Sequence, residues 1–406
     1  MKIIITLVDM LFLVPLVFFS LYLSMLTLLA LFRKVRQFDR KPANYRRFAV
    51  LVPAHDEEAV IEQTVASLKE IDYPGDKFDI LVIADNCTDR TAGISRAMGA
   101  KVFERFDQVK KGKGFALRWC LDQILASVPH YDGFVVVDAD TVVSKNFLSV
   151  MNHYLYEGAE CIQSSDMVVP QPGSWSPEMT RVAFILHNYV RPLGKLTLGC
   201  SSGLNGNGMC FSRKLIETMP WNAYSRVEDL EHSLQLAIDN IRVQFAPEAV
   251  VRAIMPSDSK NAETQRRRWE MGRFPLILKY TKPLILEAFR KRSIMILDML
   301  VELVTPAFLN IFLLTLIMTG VNMGALLIGA SWLFPIAAIW TVALLLEIFH
   351  VLGGLKAARA DRGTYLVLMK LPKYAAWKLG LYFKTWLRGD EKQWVRTARD
   401  GTNSKH

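Results

Sequence analysis

The sequence predicts an α/β domain with a Rossmann-like, largely parallel sheet, carried on α-helical transmembrane segments. Three observations predict it. Short apolar strands alternate with amphipathic helices between Phe48 and Val137; three apolar runs reach spanning length; and clusters of Lys and Arg flank those runs. Of the 406 residues 51% are hydrophobic, too many for an ordinary soluble protein and too few for a channel, so a water-soluble body with a few spans is expected.

The first run, Met10 to Phe32, carries no charge, and its 23 residues at 1.5 Å each cover a hydrocarbon core of ~30 Å. It exceeds the h-region of a signal peptide, and Arg33-Lys34 follow it without a small-residue cleavage pattern. Leu303 to Met323 and Ala325 to Leu346 read as a membrane hairpin. The basic clusters at Arg33 to Arg47, Arg290 to Arg292 and Lys356 to Arg362 all fall on one side of three spans, which the positive-inside rule makes cytoplasmic. The formal charge of +10 therefore signals membrane lipid and not nucleic acid. Asp298 and Glu302 precede the second span; they sit in the interface or line a polar path for product. The organisation expected is a span with its basic flank (1–46), a cytoplasmic domain (47–275), interfacial helices (276–302), a transmembrane hairpin (303–350), and an interfacial amphipathic helix with a cytoplasmic tail (351–406). An integral protein of a bacterial inner membrane fits this pattern. The five cysteines show neither C-x-x-C nor zinc-ligand clustering and read as packed thiols.

Within the cytoplasmic domain, Phe48 to Val52 and Asp79 to Ala84 read as buried strands. A helix from Glu57 to Ile71 lies between them, stopped by Tyr73-Pro74-Gly75. Thr88 to Met98 (helix), Lys101 to Glu104 (strand), Gly114 to Val128 (helix) and Phe134 to Val137 (strand) continue the alternation. Ligands of such sheets bind beyond the carboxyl ends of the strands. There the sequence places Pro53-Ala54-His55-Asp56-Glu57, Asp85-Asn86 and Asp138-Ala139-Asp140, without a glycine-rich dinucleotide or P-loop motif. Asp138 and Asp140 offer hard oxygen ligands to Mg2+ or Mn2+, although a strand-end turn explains a lone D-x-D as well. Gly206, Asn207 and Gly208 form a loop in which backbone can approach a ligand. Glu228 and Asp229 open a helix, where the dipole alone accounts for acidic residues. Gln265-Arg266-Arg267-Arg268-Trp269 offers guanidinium forks for phosphate beside an aromatic face, or a basic stripe for anionic lipid.

In this order the motifs resemble the membrane-embedded family 2 glycosyltransferases of GT-A fold, the branch of cellulose, hyaluronan, chitin-oligomer and poly-N-acetylglucosamine synthases and ceramide glucosyltransferase. The resemblance runs from Phe48 to Phe274. It implies donor contacts at Pro53, Ala54, Glu57, Asp85 (to uracil), Lys113, Asp138, Gln265, Arg268 and Trp269. It further implies a divalent cation on Asp140 with Asp138, an acceptor region at Gly206, Asn207 and Glu228, and Asp229 as base. Val227 departs from the threonine of the family's T-E-D motif, and Trp394-Val395-Arg396-Thr397 resembles a tail motif of the branch. The function implied is inverting transfer from a nucleotide-sugar, with UDP as nucleotide, to a lipid or lipid-linked acceptor. Processive polysaccharide synthesis is the alternative, and with so few spans it implies export partner subunits. A catalytically inert membrane scaffold is the alternative of another class.

Overall fold

A computed structural model describes the chain except residues 1, 37, 39–43, 127–129, 170–174, 255–258, 377–379 and 381–406, and except the side chains of 4, 5, 175, 176, 259–267 and 270. Its elements run α1 (Lys2–Phe32), β1 (Phe48–Ala54), α2 (Ile61–Lys69), β2 (Phe78–Asp85), α3 (Thr91–Ala97), β3 (Lys101–Arg105), α4 (Lys113–Leu125), β4 (Gly133–Val136), β5 (Thr141–Val143), α5 (Phe147–Tyr156) and β6 (Cys161–Val168). There follow α6 (Trp175–Phe184), a π-helical turn (Ile185–Val190), α7 (Arg191–Leu198), β7 (Met209–Ser212), α8 (Arg213–Thr218), α9 (Glu228–Ile238) and β8 (Val243–Ala253). Then come α10 (Ser259–Lys291), α11 (Ile294–Val304), α12 (Phe308–Leu327), α13 (Phe334–Ala357) and α14 (Arg362–Val367). The chain forms two compact units. One takes α1, Ile185–Leu198 and the helices from Val304 on; the other takes the sheet and the remaining helices.

Among the described residues the sheet has eight strands, in the order β3-β2-β1-β4-β7-β6-β8-β5. β3, β2, β1 and β4 pair in parallel, as expected, whereas β7 runs antiparallel to both β4 and β6, and β5 antiparallel to β8. The largely parallel sheet of the sequence reading is thus a mixed one in its far half. β1 shows why the sheet has two cores: Phe48, Val50 and Val52 face one layer with Ile61, Val65 and Leu68 of α2, while Ala49 and Leu51 face the other with Leu117, Cys120 and Leu121 of α4. The period of two, buried on both faces, is the mark of a central strand.

α2 begins at Ile61, not Glu57: Val60 leaves helical geometry at φ −130, and in the turn before it Glu57 N–H donates to Thr91 Oγ1 (2.8 Å) and Glu58 N–H to Asp89 Oδ2 (3.0 Å). α10 buries every fourth residue, Gly272, Leu276, Tyr280, Leu284 and Ala288. The last four of these join α9 and α11 in one apolar cluster, while Phe274, Leu278 and Phe289 of α10 are exposed.

Among the described residues of the other unit, three helices are long and apolar enough to cross a membrane, Thr6–Phe32, Phe308–Leu327 and Ser331–Ala357. The last two are displaced from the runs read in sequence because Pro306 delays the helix start and Gly329, at φ +94, makes the turn between them. Polar side chains tie this bundle: Ser20 Oγ and Thr315 Oγ1 both donate to Glu347 Oε1, at 2.7 and 2.8 Å, and Trp340 Nε1 donates to Asp9 Oδ1. α7 lies close on α1, since a Cβ on Gly194 would stand 2.3 Å from Leu26 O. All five cysteines are free thiols.

Candidate active site

The carboxyl ends of β1, β2 and β4 meet where the strand order reverses about β1, the place where open α/β sheets bind ligands. Asp85 ends β2 and is buried. In the parallel register it lies opposite Arg105, the last residue of β3. Arg105 Nη1 donates to Asp85 Oδ1 at 2.6 Å, its Nη2 to Asp107 Oδ2 and to Lys110 O, and Asn86 Nδ2 adds a further bond to Asp85 Oδ1. Burial raises the Asp85 carboxyl above its ordinary value against the pull of Arg105, with the Gly112 N–H also bonded to it. Arg105 escaped the sequence reading; its signal was a basic residue closing the strand beside an acid-ended one.

Pro53 and Ala54 close β1. His55 Nδ1 lies 2.6 Å from Asp85 O and joins the two strand ends. Glu57 stands in the following turn. Asp56, Cys87 and Asp89 bring three ligand atoms within 4.8 Å of one another. Asp56 Oδ1 is committed to the N–H groups of Thr88 and Asp89, Asp89 Oδ1 to Thr91, and burial pushes the Cys87 thiol up to about 11, so this triad reads as a loop knot.

Gly112, at φ +118, leads into α4, whose first residue is Lys113. Lys113 Nζ donates to Asp138 Oδ1 at 2.5 Å and to Gly206 O at 2.6 Å. Burial alone would lower the ammonium, but Asp138, Glu228 and Asp229 outweigh it and hold it above its ordinary value. Glu228 and Asp229 open α9. Burial, then the Asp229 charge, pushes Glu228 up to about 7; Asp229 is raised by burial, with Asp138 adding to it and Lys113 and Arg268 opposing. Arg268 is therefore part of this cluster. Gly206, at φ +83, brings its backbone against Asp229, since a Cβ there would lie 3.0 Å from Asp229 Oδ2. Trp269 is half-buried with its ring 5.9 Å from that of Phe184. Gln265 lies on α10, its side chain outside the described residues, as is Trp394 to Thr397.

Asp138 and Asp140 stand in the turn between β4 and β5, past the strand itself. Asp138 is partly exposed and Asp140 buried. A third carboxyl, Asp166 of β6, was not foreseen; burial, then Asp138 and Asp140, raises it well above the usual range. Asn207, expected at the acceptor, instead has its side chain buried and committed inward, to Asp138 N, Thr141 Oγ1 and Asp166 Oδ1. Lys113, Asp138, Gly206, Glu228, Asp229 and Arg268 thus form one electrostatic cluster, which adjoins Asp85 through Gly112.

The family model "Glycosyltransferase like family 2" matches residues 45–272. A probable glycosyltransferase of Bacillus subtilis, YdaM, is 25% identical over 272 residues, 61% of this chain and 62% of that protein. The beta-monoglucosyldiacylglycerol synthase of a Synechocystis strain is 25% identical over 246 residues, 60% of this chain and 51% of that protein. The chain spans about half to three-fifths of these relatives. Among solved structures, the mannosyltransferase PcManGT from Pyrobaculum calidifontis, in complex with GDP-Man and Mn2+, is similar with a TM-score of 0.48 at 15% identity, over 84% of this chain and 99% of that one. The mixed sheet with helices packed on both faces is of the α/β class that the motifs implied. With the family model covering more than half of its length, this chain belongs to glycosyltransferase family 2.

Proposed function

We propose that the chain is an inverting glycosyltransferase that moves a sugar from a nucleoside-diphosphate donor, UDP as the nucleotide, to a lipid or lipid-linked acceptor at a bacterial inner membrane. The cytoplasmic face carries the site. The observation that carries the reading is the joint placing of Lys113, Asp138, Asp229 and Arg268 in one cluster. Asp229, whose carboxyl burial raises above its ordinary value, takes the proton of the acceptor hydroxyl as that oxygen attacks the anomeric carbon from the face opposite the diphosphate. Lys113 and Arg268 face the departing phosphate charge, and Trp269 with Gln265 closes the site against water.

The acidic pair suits a divalent cation, Mg2+ or Mn2+. Its carboxylates are hard oxygen donors, and a third carboxyl, Asp166, stands close enough that Asp138 and Asp140 add to the raising effect of its burial. A cation bound by Asp140 and Asp138 would neutralise the diphosphate. The glycolipid synthase among the relatives supports a lipid acceptor. The exposed Phe274, Leu278 and Phe289 of α10 suit a place at the membrane surface, beside membrane lipids.

Membranes containing the chain are incubated with labelled UDP-sugars, and organic-soluble product is separated from high-mass product. Labelled lipid supports the reading. High-mass polymer replaces it with processive synthesis, and the absence of donor-dependent nucleotide release replaces it with a scaffold.

A further inference from the structure

The Asn207 side chain is divided between the D-x-D turn with the residue that follows it and Asp166 of β6. Its Oδ1 accepts the Asp138 N–H at 3.1 Å, and its Nδ2 donates to Thr141 Oγ1 at 3.0 Å and to Asp166 Oδ1 at 3.2 Å. Because Thr141 Oγ1 accepts from Asn207, its own hydrogen is directed to Asp140 Oδ1, 3.4 Å away. One amide thus reaches both aspartates, Asp138 through its backbone and Asp140 through a hydroxyl. Thr141 is fully buried and Asn207 is 3% exposed, so neither exchanges these bonds for water.

The amide is itself held. Gln163 Nε2 donates to Asn207 O at 2.8 Å, Gln163 Oε1 accepts the Asn205 N–H at 2.9 Å, and the backbone of Gly208 is bonded to Val136 on one side and Ser164 on the other. Gly208 has φ +69, and a Cβ there would stand 2.0 Å from Ser164 Oγ, so the loop seats with no room to spare.

We propose that Asn207, acting through Thr141 and anchored by Asp166, is the positioning group of the Asp138–Asp140 pair. It holds the backbone of Asp138 and, through Thr141, the Asp140 carboxyl in place for a divalent cation without binding the cation itself. This rests on the metal reading given above. Buried partners that orient metal ligands typically change metal affinity by about 10–100-fold when removed.

The test is Mn2+ binding to the full-length chain in detergent with saturating UDP, read as free Mn2+ by electron paramagnetic resonance, with melting temperatures in parallel. Thr141→Val, which keeps shape and loses the hydroxyl, is expected to weaken Mn2+ binding by about tenfold or more, and Thr141→Ser to restore it. Asn207→Ala is expected to weaken it by about 10–100-fold. Asp166→Asn, which keeps an acceptor oxygen, is expected to stay within about threefold of the parent, and Asp166→Leu to fall with Asn207→Ala. Thr141→Val or a folded Asn207→Ala binding as the parent does overturns the proposal. So does Asp166→Asn losing as much as Asp166→Leu, which would make Asp166 a ligand. If Asn207→Ala fails to fold, the Thr141 pair decides alone. A parent chain that binds no Mn2+ overturns the metal reading and the proposal with it, an outcome distinct from the others.

Discussion

The Lys113 ammonium stands 2.5 Å from Asp138 Oδ1, and the same nitrogen holds Gly206 O, so one cation joins the acidic turn to the loop that touches Asp229. Replacing it by Met leaves Asp138, Glu228 and Asp229 without their nearest positive partner. Lys113→Met is expected to raise the donor KM by about tenfold or more, since charge-assisted bonds contribute about 1.5–3 kcal/mol. The acid limb of the rate profile should also move to higher pH, because a lost cation raises nearby carboxyls. Nucleoside diphosphate release measured across pH checks both; an unmoved limb would remove Lys113 from the cluster.

Asp229→Asn keeps the shape at the start of α9 and removes the base. Transfer is expected to fall by about 10²–10⁴-fold, the usual worth of a general base, while UDP affinity stays within a few-fold. Single-turnover transfer beside equilibrium UDP binding separates the two effects. Turnover at the parent rate would take the role from Asp229.

Glu228 gives a pH signature in stability. Burial raises its carboxyl to about 7 from 4.5 in the unfolded chain, so the folded state holds this proton the more tightly. Stability from this group is present below about pH 4.5 and is lost as pH rises toward 7. Glu228→Gln, which cannot ionise, is therefore expected to melt higher than the parent at pH 8 and alike at pH 4.5. Removing its charge also eases ionisation of Asp229, moving the acid limb of the rate profile to lower pH. A melting difference independent of pH would contradict the assignment.

The parallel half of the sheet was legible chiefly through apolar runs that end on an acid or a turn residue, as in Phe48 to Pro53 and Asp79 to Asp85. β6 was not. Its Gln163-Ser164-Ser165-Asp166 reads as a polar loop, yet all four are buried, and Asn205, Asn207 and Gly208 supply partners to Gln163, to the Ser164 backbone and to Asp166 from about forty residues away in sequence. The inward turn of Asn207 has the same cause, since an Asn-Gly loop looks alike in sequence whether its amide faces solvent or a buried acid. Asp138, Asp140, Glu228 and Asp229 were legible as candidates because each sits at or beside an element boundary; Arg105, Thr141 and Asp166 were missed because their contacts depend on cross-strand neighbours.

Gly114 tests close packing beside Lys113. An alanine in α4 would gain about 1 kcal/mol of helix propensity. Its Cβ, however, would stand 2.1 Å from the backbone oxygen of Ala223, which no rotamer change can move. Gly114→Ala is expected to lower stability by about 2–4 kcal/mol net, as overpacking against backbone does, and to weaken donor binding through displacement of Lys113. Thermal unfolding decides the sign.

Glu347 tests the membrane bundle. Its Oε1 accepts from Ser20 of α1 and from Thr315 of α12 while the residue itself belongs to α13, so three helices converge on one oxygen that is wholly buried. In hydrocarbon such bonds are each worth about 0.6–1.7 kcal/mol, since an unfolded helix finds other partners. Ser20 has an alternative at hand, since its single hydroxyl hydrogen can turn instead to Leu16 O at 2.9 Å. Glu347→Gln keeps an acceptor oxygen and is expected to melt near the parent in detergent, whereas Glu347→Leu should lose about 1–2 kcal/mol. Ser20→Ala and Thr315→Ala share that acceptor, so the double variant should lose less or more than their sum and not simply add. Equal stability of the Gln and Leu variants, with additive single losses, would show that the bundle is held by apolar packing alone.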